Sequence, residues 1–84
     1  MIDISSVTRK IEYSKQISVN ELLRQARLQE CWTISEAAEV IGVSYGTFFR
    51  WEHCLQNPRL FYLKQLQVAF HRSATELGFG HLFL

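Results

Sequence analysis

Apolar residues in the middle of the chain recur at spacings of three and four, the interval at which one side of an α-helix meets a core. Leu22, Leu23, Ala26 and Leu28 predict a first helix over residues 19–30. Ala37, Ala38 and Ile41 predict a second over 34–41. Phe48, Trp51 and Cys54 predict a third over 45–53, and Leu60, Leu63, Leu66 and Phe70 a fourth over 58–70. Start signals stand in front of these stripes. Ser18-Val19-Asn20-Glu21 and Thr33-Ile34-Ser35-Glu36 have the form of capping boxes, in which a hydroxyl accepts from an early helix N–H and a glutamate reaches back. Ser44 is placed to cap the third helix, and Asn57-Pro58 offers a cap followed by proline at the first helical position. A further box, Ser73-Ala74-Thr75-Glu76, predicts a one-turn fifth helix closed by Leu77. Period-two alternation is confined to the start, MIDISSV, while the end, HLFL, is short and apolar, so the ends are predicted as short strands or an arm.

The expectation is an all-α fold, a compact bundle of about five short helices. Residues 1–17 are read as an N-terminal arm or dimerisation segment, 18–78 as the helical domain and 79–84 as an apolar C-terminal tail. Eighty-four residues suffice for one small domain. A hydrophobic content of 48% with 20% charged residues excludes a disordered chain. No apolar run approaches the roughly 18 residues of a membrane span, so no membrane partner is expected. The first residues lack the pattern of a secretory or organelle-targeting signal. Two cysteines, Cys31 and Cys54, fit a reduced, cytoplasmic chain better than a disulfide scaffold. The net charge is only +1, so any surface for nucleic acid must be a local basic patch.

The informative stretch is 33–52, TISEAAEVIGVSYGTFFRWE. A short helix, a tight turn and a second short helix form a helix-turn-helix. Ala38 is small enough for the two helices to cross closely. Gly42 permits a sharp turn with positive φ. Ile41 and Val43 fill the space beneath that turn. Ser44 caps the following helix, whose first turn then presents short side chains and free N–H groups outward. Such an end fits a DNA major groove, with the preceding helix lying across the backbone.

These residues resemble the phage-repressor and Cro family, the Xre-like helix-turn-helix proteins, over roughly residues 20–77. The matches run without gaps through Leu23-Arg24 and Arg27, the Thr33-capped second helix, the Gly42-Val43-Ser44 turn, Trp51-Glu52, Asn57-Pro58, and Ser73 with Glu76-Leu77. The resemblance implies a lambda-repressor-like fold and a sequence-specific transcription regulator. It implies a dimeric repressor that blocks polymerase sterically by occupying a near-palindromic operator in double-stranded DNA.

By the same alignment the DNA-binding residues are Thr33, Ser44, Tyr45, Gly46, Thr47, Phe49, Arg50 and Arg59. Tyr45, Gly46, Phe49 and Arg50 face the groove. Arg50 is suited to donate two hydrogen bonds to a guanine edge, and Tyr45 or Phe49 to pack on thymine methyls; the alternative has Arg50 on a phosphate and the aromatics as a protein-binding patch. Ser44 and Thr47 are placed for phosphates, with a core-edge role open for Thr47. Arg59 is placed near the backbone or a minor groove. Arg9, Lys10 and Lys15 are candidates for an arm on DNA or for solvated charge. The resemblance also implies that Arg27 and Glu52 form a buried ion pair.

The chain departs from the family pattern at several positions. Ile34 stands where glutamine is usual, and Ala37 where a bulky aliphatic residue is usual, leaving space for Phe48. Cys31, Cys54 and His71 stand where glycine is favoured. A side chain in a left-handed cap costs on the order of 1 kcal/mol, so these helix ends are expected to run on or close differently.

Other function classes find less in the sequence. Cys31, His53 and Cys54 lack paired metal-ligand spacing, and packing in or near the core is the expected role of the cysteines; no metal or other cofactor is expected. No Ser/His/Asp or Cys/His set is suggested, and a domain this small offers little cleft for a substrate, so the chain is not read as an enzyme. Two alternatives stay open. One is a MerR- or excisionase-like protein, which places a β wing after the motif. The other is a protein-interaction module on the same fold, such as an antitoxin, with an unidentified protein partner. The apolar ends, Ile2, Ile4 and Val7 at one and Leu77, Phe79, Leu82, Phe83 and Leu84 at the other, are expected to form a homodimer interface. The competing arrangement has Phe79, Leu82 and Phe83 capping the monomer's own core.

Overall fold

The computed structural model describes residues 18–83. Four α-helices follow one another: α1 (Glu21–Gln29), α2 (Ile34–Ile41), α3 (Tyr45–Glu52) and α4 (Leu60–Phe70). A 3-10 turn, Gly80–Phe83, ends the described chain. No strand occurs among the described residues. The alternating residues 1–7 lie outside them. The terminal HLFL segment joins the 3-10 turn rather than a strand, with Leu84 outside. No helix among the described residues is long and apolar enough to cross a membrane.

Each helix start shows which local bonds prevailed. Thr33 caps α2 through the full box: its hydroxyl accepts from Glu36 N–H at 3.1 Å, and the Glu36 carboxylate accepts from Thr33 N–H at 2.8 Å. Helix α1 is capped by Asn20, not by the Ser18 box. Asn20 Oδ1 accepts from Leu23 N–H at 3.1 Å, Asn20 Nδ2 donates to the Leu77 carbonyl at 2.9 Å, and Asn20 N–H donates to the Glu52 carbonyl at 2.7 Å. These tertiary ties anchor Asn20 to two other parts of the fold and set the start of α1. Glu21, left without a capping partner, lies 3.9 Å from Arg24. Helix α4 starts at Leu60 with Arg59 as its uncapped flanking residue, two positions later than the Asn57-Pro58 signal predicts.

The predicted fifth helix is a hydrogen-bonded turn. Ser73 and Glu76 do form their reciprocal box, with Ser73 N–H donating to the Glu76 carboxylate at 2.8 Å and Glu76 N–H to the Ser73 hydroxyl at 3.1 Å. These Ser73 contacts hold the Glu76 carboxyl below the usual carboxylate range. Gly78, at φ 84°, stops the helix there, and Phe79 N–H closes back on the Ala74 carbonyl at 2.8 Å.

Helix α2 packs on α3 and α4, and α1 packs on α3. The core gathers Leu23, Ala38, Phe48, Trp51, Leu63, Leu66 and Phe70. Ala37 and Phe48 are both fully buried in it. Leu77 and Phe79 are buried in the same core and Leu82 packs against it. That corrects the expected apolar patch at the C-terminal end, because these residues bury their apolar surface within their own chain. Phe79 and Leu82 thus pack on the helices before them; Ile2, Ile4, Val7, Leu84 and the side chain of Phe83 lie outside the described residues. The spacing overreaches at Leu22, Leu28 and Leu60, which are exposed. In α1 the buried stripe is Leu23, Ala26 and Arg27.

Arg27 is inside because Glu52 receives it. Arg27 Nε donates to Glu52 Oε1 at 2.8 Å and Nη2 to Oε2 at 3.0 Å, a two-pronged pair that leaves Nη1 for the Trp32 carbonyl at 2.8 Å. The two side chains are only 10% and 3% exposed. The pair ties α1 to the end of α3 and to the loop that enters α2, and the expected buried ion pair is present.

Among the described residues three non-glycine residues sit in the left-handed region: Cys31 at φ 61°, Cys54 at 59° and His71 at 55°. The ends of α1, α3 and α4 thus close with the same left-handed step that glycine usually supplies, contrary to the expectation that they run on or close differently. Bonds such as Trp32 N–H to the Arg27 carbonyl at 3.2 Å and Leu55 N–H to the Arg50 carbonyl at 2.8 Å hold the chain to that course. Both cysteines are exposed, which also corrects their expected packing role. Each Cβ in this region costs about 1–2 kcal/mol, partly offset by the stiffer unfolded chain relative to glycine. The triple variant Cys31→Gly, Cys54→Gly, His71→Gly should therefore gain about 2 kcal/mol and raise the thermal midpoint by roughly 10 °C. An unchanged melting curve would show that these positions carry no strain.

Candidate functional site

Helix α3 has two unlike faces. Phe48, Trp51 and Glu52 are buried, whereas Tyr45, Gly46, Phe49, Arg50 and His53 lie on the opposite, accessible side. Ser44 starts the helix: its hydroxyl accepts from Thr47 N–H at 3.2 Å and lies 3.0 Å from the Thr47 hydroxyl. The N–H groups of Tyr45 and Gly46, at the first two positions, have no partner within the helix. The helix is aimed by the turn before it, where Gly42 at φ 93° ends α2 and both Gly42 and Val43 N–H groups donate to the Ala38 carbonyl at 2.8 and 2.9 Å. The positive φ expected of Gly42 is present.

Arg50 is exposed and held. Its Nε donates to Gln56 Oε1 at 3.0 Å, and its guanidinium reaches back over Gly46, where an added Cβ would meet Nη1 at 3.4 Å. Gln56 takes the inner nitrogen, and among the described residues both terminal amino groups have no acceptor. Two parallel donors on a tethered plane suit bidentate recognition of a phosphate or a guanine edge. Gln56 had no signal in the sequence, because it acts from the irregular link after α3 rather than from any periodic position.

Beside Arg50 runs an aromatic ladder. Tyr45 stacks on Phe49 at a centroid separation of 6.0 Å, and Phe49 on His53 at 4.1 Å. Tyr45 is 54% exposed and gives the ladder an apolar outer end. The place of His53 in this stack follows from the i, i+4, i+8 spacing with Tyr45 and Phe49. Among the described residues no cluster of three His, Cys, Asp or Glu side chains could hold a metal ion.

Arg59 stands apart from Arg50, at the start of α4, and makes no ion pair among the described residues. It borders a hollow of about 320 Å³ between the start of α3 and α4, with Ser44, Thr47, Gln56 and Tyr62. The structure therefore brings Ser44, Thr47 and Arg59 to one place and Tyr45, Gly46, Phe49 and Arg50 to the adjoining helix face. Thr47 is half-buried with its hydroxyl directed to Ser44. Thr33 is exposed at the start of α2, its hydroxyl occupied as an acceptor in the capping box. Arg9, Lys10 and Lys15 lie outside the described residues. No protein-family model, curated protein or solved structure matches the chain.

Proposed function

We propose that this chain is a sequence-specific DNA-binding regulator, acting as a repressor through a helix-turn-helix formed by α2 and α3. The observation that carries the reading is the presentation of Arg50: an exposed guanidinium, tethered by Gln56 over a glycine, on the open face of a short helix anchored to the core from behind. In this reading α3 enters the major groove, Arg50 reads a guanine edge, and Tyr45 and Phe49 touch neighbouring thymine methyls. Ser44, Thr47 and Arg59 take backbone phosphates. The winged alternative places a β wing after the motif, and the described residues after α3 hold a helix and turns without a strand.

Homodimerisation on a near-palindromic operator belongs to the same proposal, with half-sites about one helical turn, ~34 Å, apart. Leu77 and Phe79 are buried and Leu82 is partly buried, so these three residues offer that interface little apolar surface. Sedimentation at micromolar concentration tests it, and a monomer with and without duplex contradicts it.

Arg50→Ala should weaken binding to the preferred duplex by roughly 1–3 kcal/mol and relax the preference at one base pair. Arg59→Ala should weaken binding to all duplexes alike and reduce the salt dependence by about one phosphate contact. Anisotropy titrations over a range of salt read both. An Arg50→Ala protein that loses affinity equally for every sequence contradicts base reading by Arg50.

A protein-contact function on the same face is favoured by one observation, the exposed Tyr45–Phe49–His53 ladder. It differs in the same titrations: an apolar contact lacks the steep loss of affinity with salt that counterion release gives.

A further inference from the structure

We infer that Trp51 is a phosphate-binding residue, its indole N–H donating to a phosphate oxygen seated with Arg59 in the hollow between α3 and α4. The inference deepens the DNA-binding reading and rests on it only for where the phosphate comes from. Trp51 is 2% exposed, and its Nε1 is the one buried side-chain nitrogen or oxygen among the described residues with no hydrogen-bond partner. A buried indole N–H normally has an acceptor, because leaving it unpaired forfeits its hydration without return. Trp51 and Tyr62 both form part of the wall of this hollow, and their rings pack together at 5.9 Å between centroids.

The lining explains what kind of acceptor is missing. No carboxylate borders the hollow. Arg59 brings a full positive charge. Gln56 has its oxygen engaged by Arg50 and its amide nitrogen left to donate. Ser44 and Thr47 add their hydroxyls to the lining. Arg59, Gln56, Trp51, Ser44 and Thr47 all carry donors and no carboxylate opposes them, a lining that suits a tetrahedral oxyanion with several oxygens to satisfy. Trp51 also borders a second hollow, near Asn20 and Phe79, but that one is lined by the Glu21 carboxylate and by no arginine. Nε1 is closed off from solvent, so a phosphate reaches it as the rim yields. Gln56 and Arg59, both exposed and on the link between α3 and α4, are the side chains placed to move.

Two-dimensional ¹H–¹⁵N spectra of the described domain in its full chain test this directly. The chain has two tryptophans, Trp32 and Trp51, and Trp32→Phe assigns the indole signals. Inorganic phosphate is one probe and a mixed-sequence DNA duplex the other. The Trp51 indole signal should move with both, and Arg59→Gln should weaken the response to phosphate about tenfold. Trp51→Phe, checked for folding by its melting curve, should lower duplex affinity by a similar factor. If α3 amides respond to duplex while the Trp51 indole stays fixed with both probes, the phosphate seat is wrong and the DNA reading stands. If the indole moves with inorganic phosphate while duplex moves nothing, the seat stands for a small oxyanion and the DNA reading fails. Silence with both probes overturns both.

Discussion

Arg27→Ala should cost the domain about 3–5 kcal/mol, most of the stability that a chain of this size has. The cause is the state of Glu52 once its partner is gone. Its carboxylate is 3% exposed and takes both of its hydrogen bonds from Arg27, so truncation leaves a buried charge facing apolar neighbours. The Trp32 carbonyl loses its donor at the same time. Glu52→Ala should cost a similar amount, because it strands the guanidinium instead. Replacing both residues by methionine removes both charges and should recover much of the loss, since a buried pair adds little over well-packed apolar side chains. Urea unfolding at 25 °C measures all of these. If both single variants stay within about 0.5 kcal/mol of the parent, the pair does not hold α1 to α3.

Gly78→Ala is the second large effect, at about 2–4 kcal/mol. The backbone there is left-handed, at φ 84°, and an added Cβ would lie 2.2 Å from Asn20 Oδ1. Asn20 has no easy way to move aside. Its amide caps α1 through Leu23 N–H and holds the Leu77 carbonyl, so displacing it breaks a helix cap and the tie between α1 and the 73–78 turn together. Asn20→Ala should cost about 1–2 kcal/mol, chiefly as loss of the cap. In the Asn20→Ala background Gly78→Ala should cost less than in the parent, because the collision is gone and only the left-handed strain stays. Equal costs in the two backgrounds would show that the two residues do not meet.

The contrast between Asn20 and Thr33 shows what was legible in the sequence. Thr33 and Glu36 bond only each other, so the letters alone locate the start of α2. Asn20 owes its place to Leu77 and Glu52, far away along the chain, and the nearby Ser18 box looked equally good. Helix α2 and the turn at Gly42 were legible for the same local reason, as was the buried face of α3. The left-handed steps at Cys31, Cys54 and His71 ran against local preference, and bonds and packing on either side impose them. The C-terminal apolar residues carried no direction of their own. Whether Phe79 faces a partner or the chain's own core depends on the turn that Gly78 makes, not on hydrophobicity.

The candidate site divides in the same way. The outward set Tyr45, Gly46, Phe49 and Arg50 follows from helical spacing once Phe48 and Trp51 are taken as buried. The tether on Arg50 and the donor-lined hollow beside Arg59 arise from Gln56 and Tyr62, residues brought in by the irregular link and by the packing of α4. No pattern in the sequence marks either.

The most direct test of DNA reading by α3 is selection from a pool of random duplexes by the purified chain, with the bound fraction sequenced. A motif with a near-twofold repeat should emerge, carrying a guanine that loses its enrichment when Arg50→Ala protein is used. A pool that leaves the selection as random as it entered contradicts sequence-specific DNA binding by this protein.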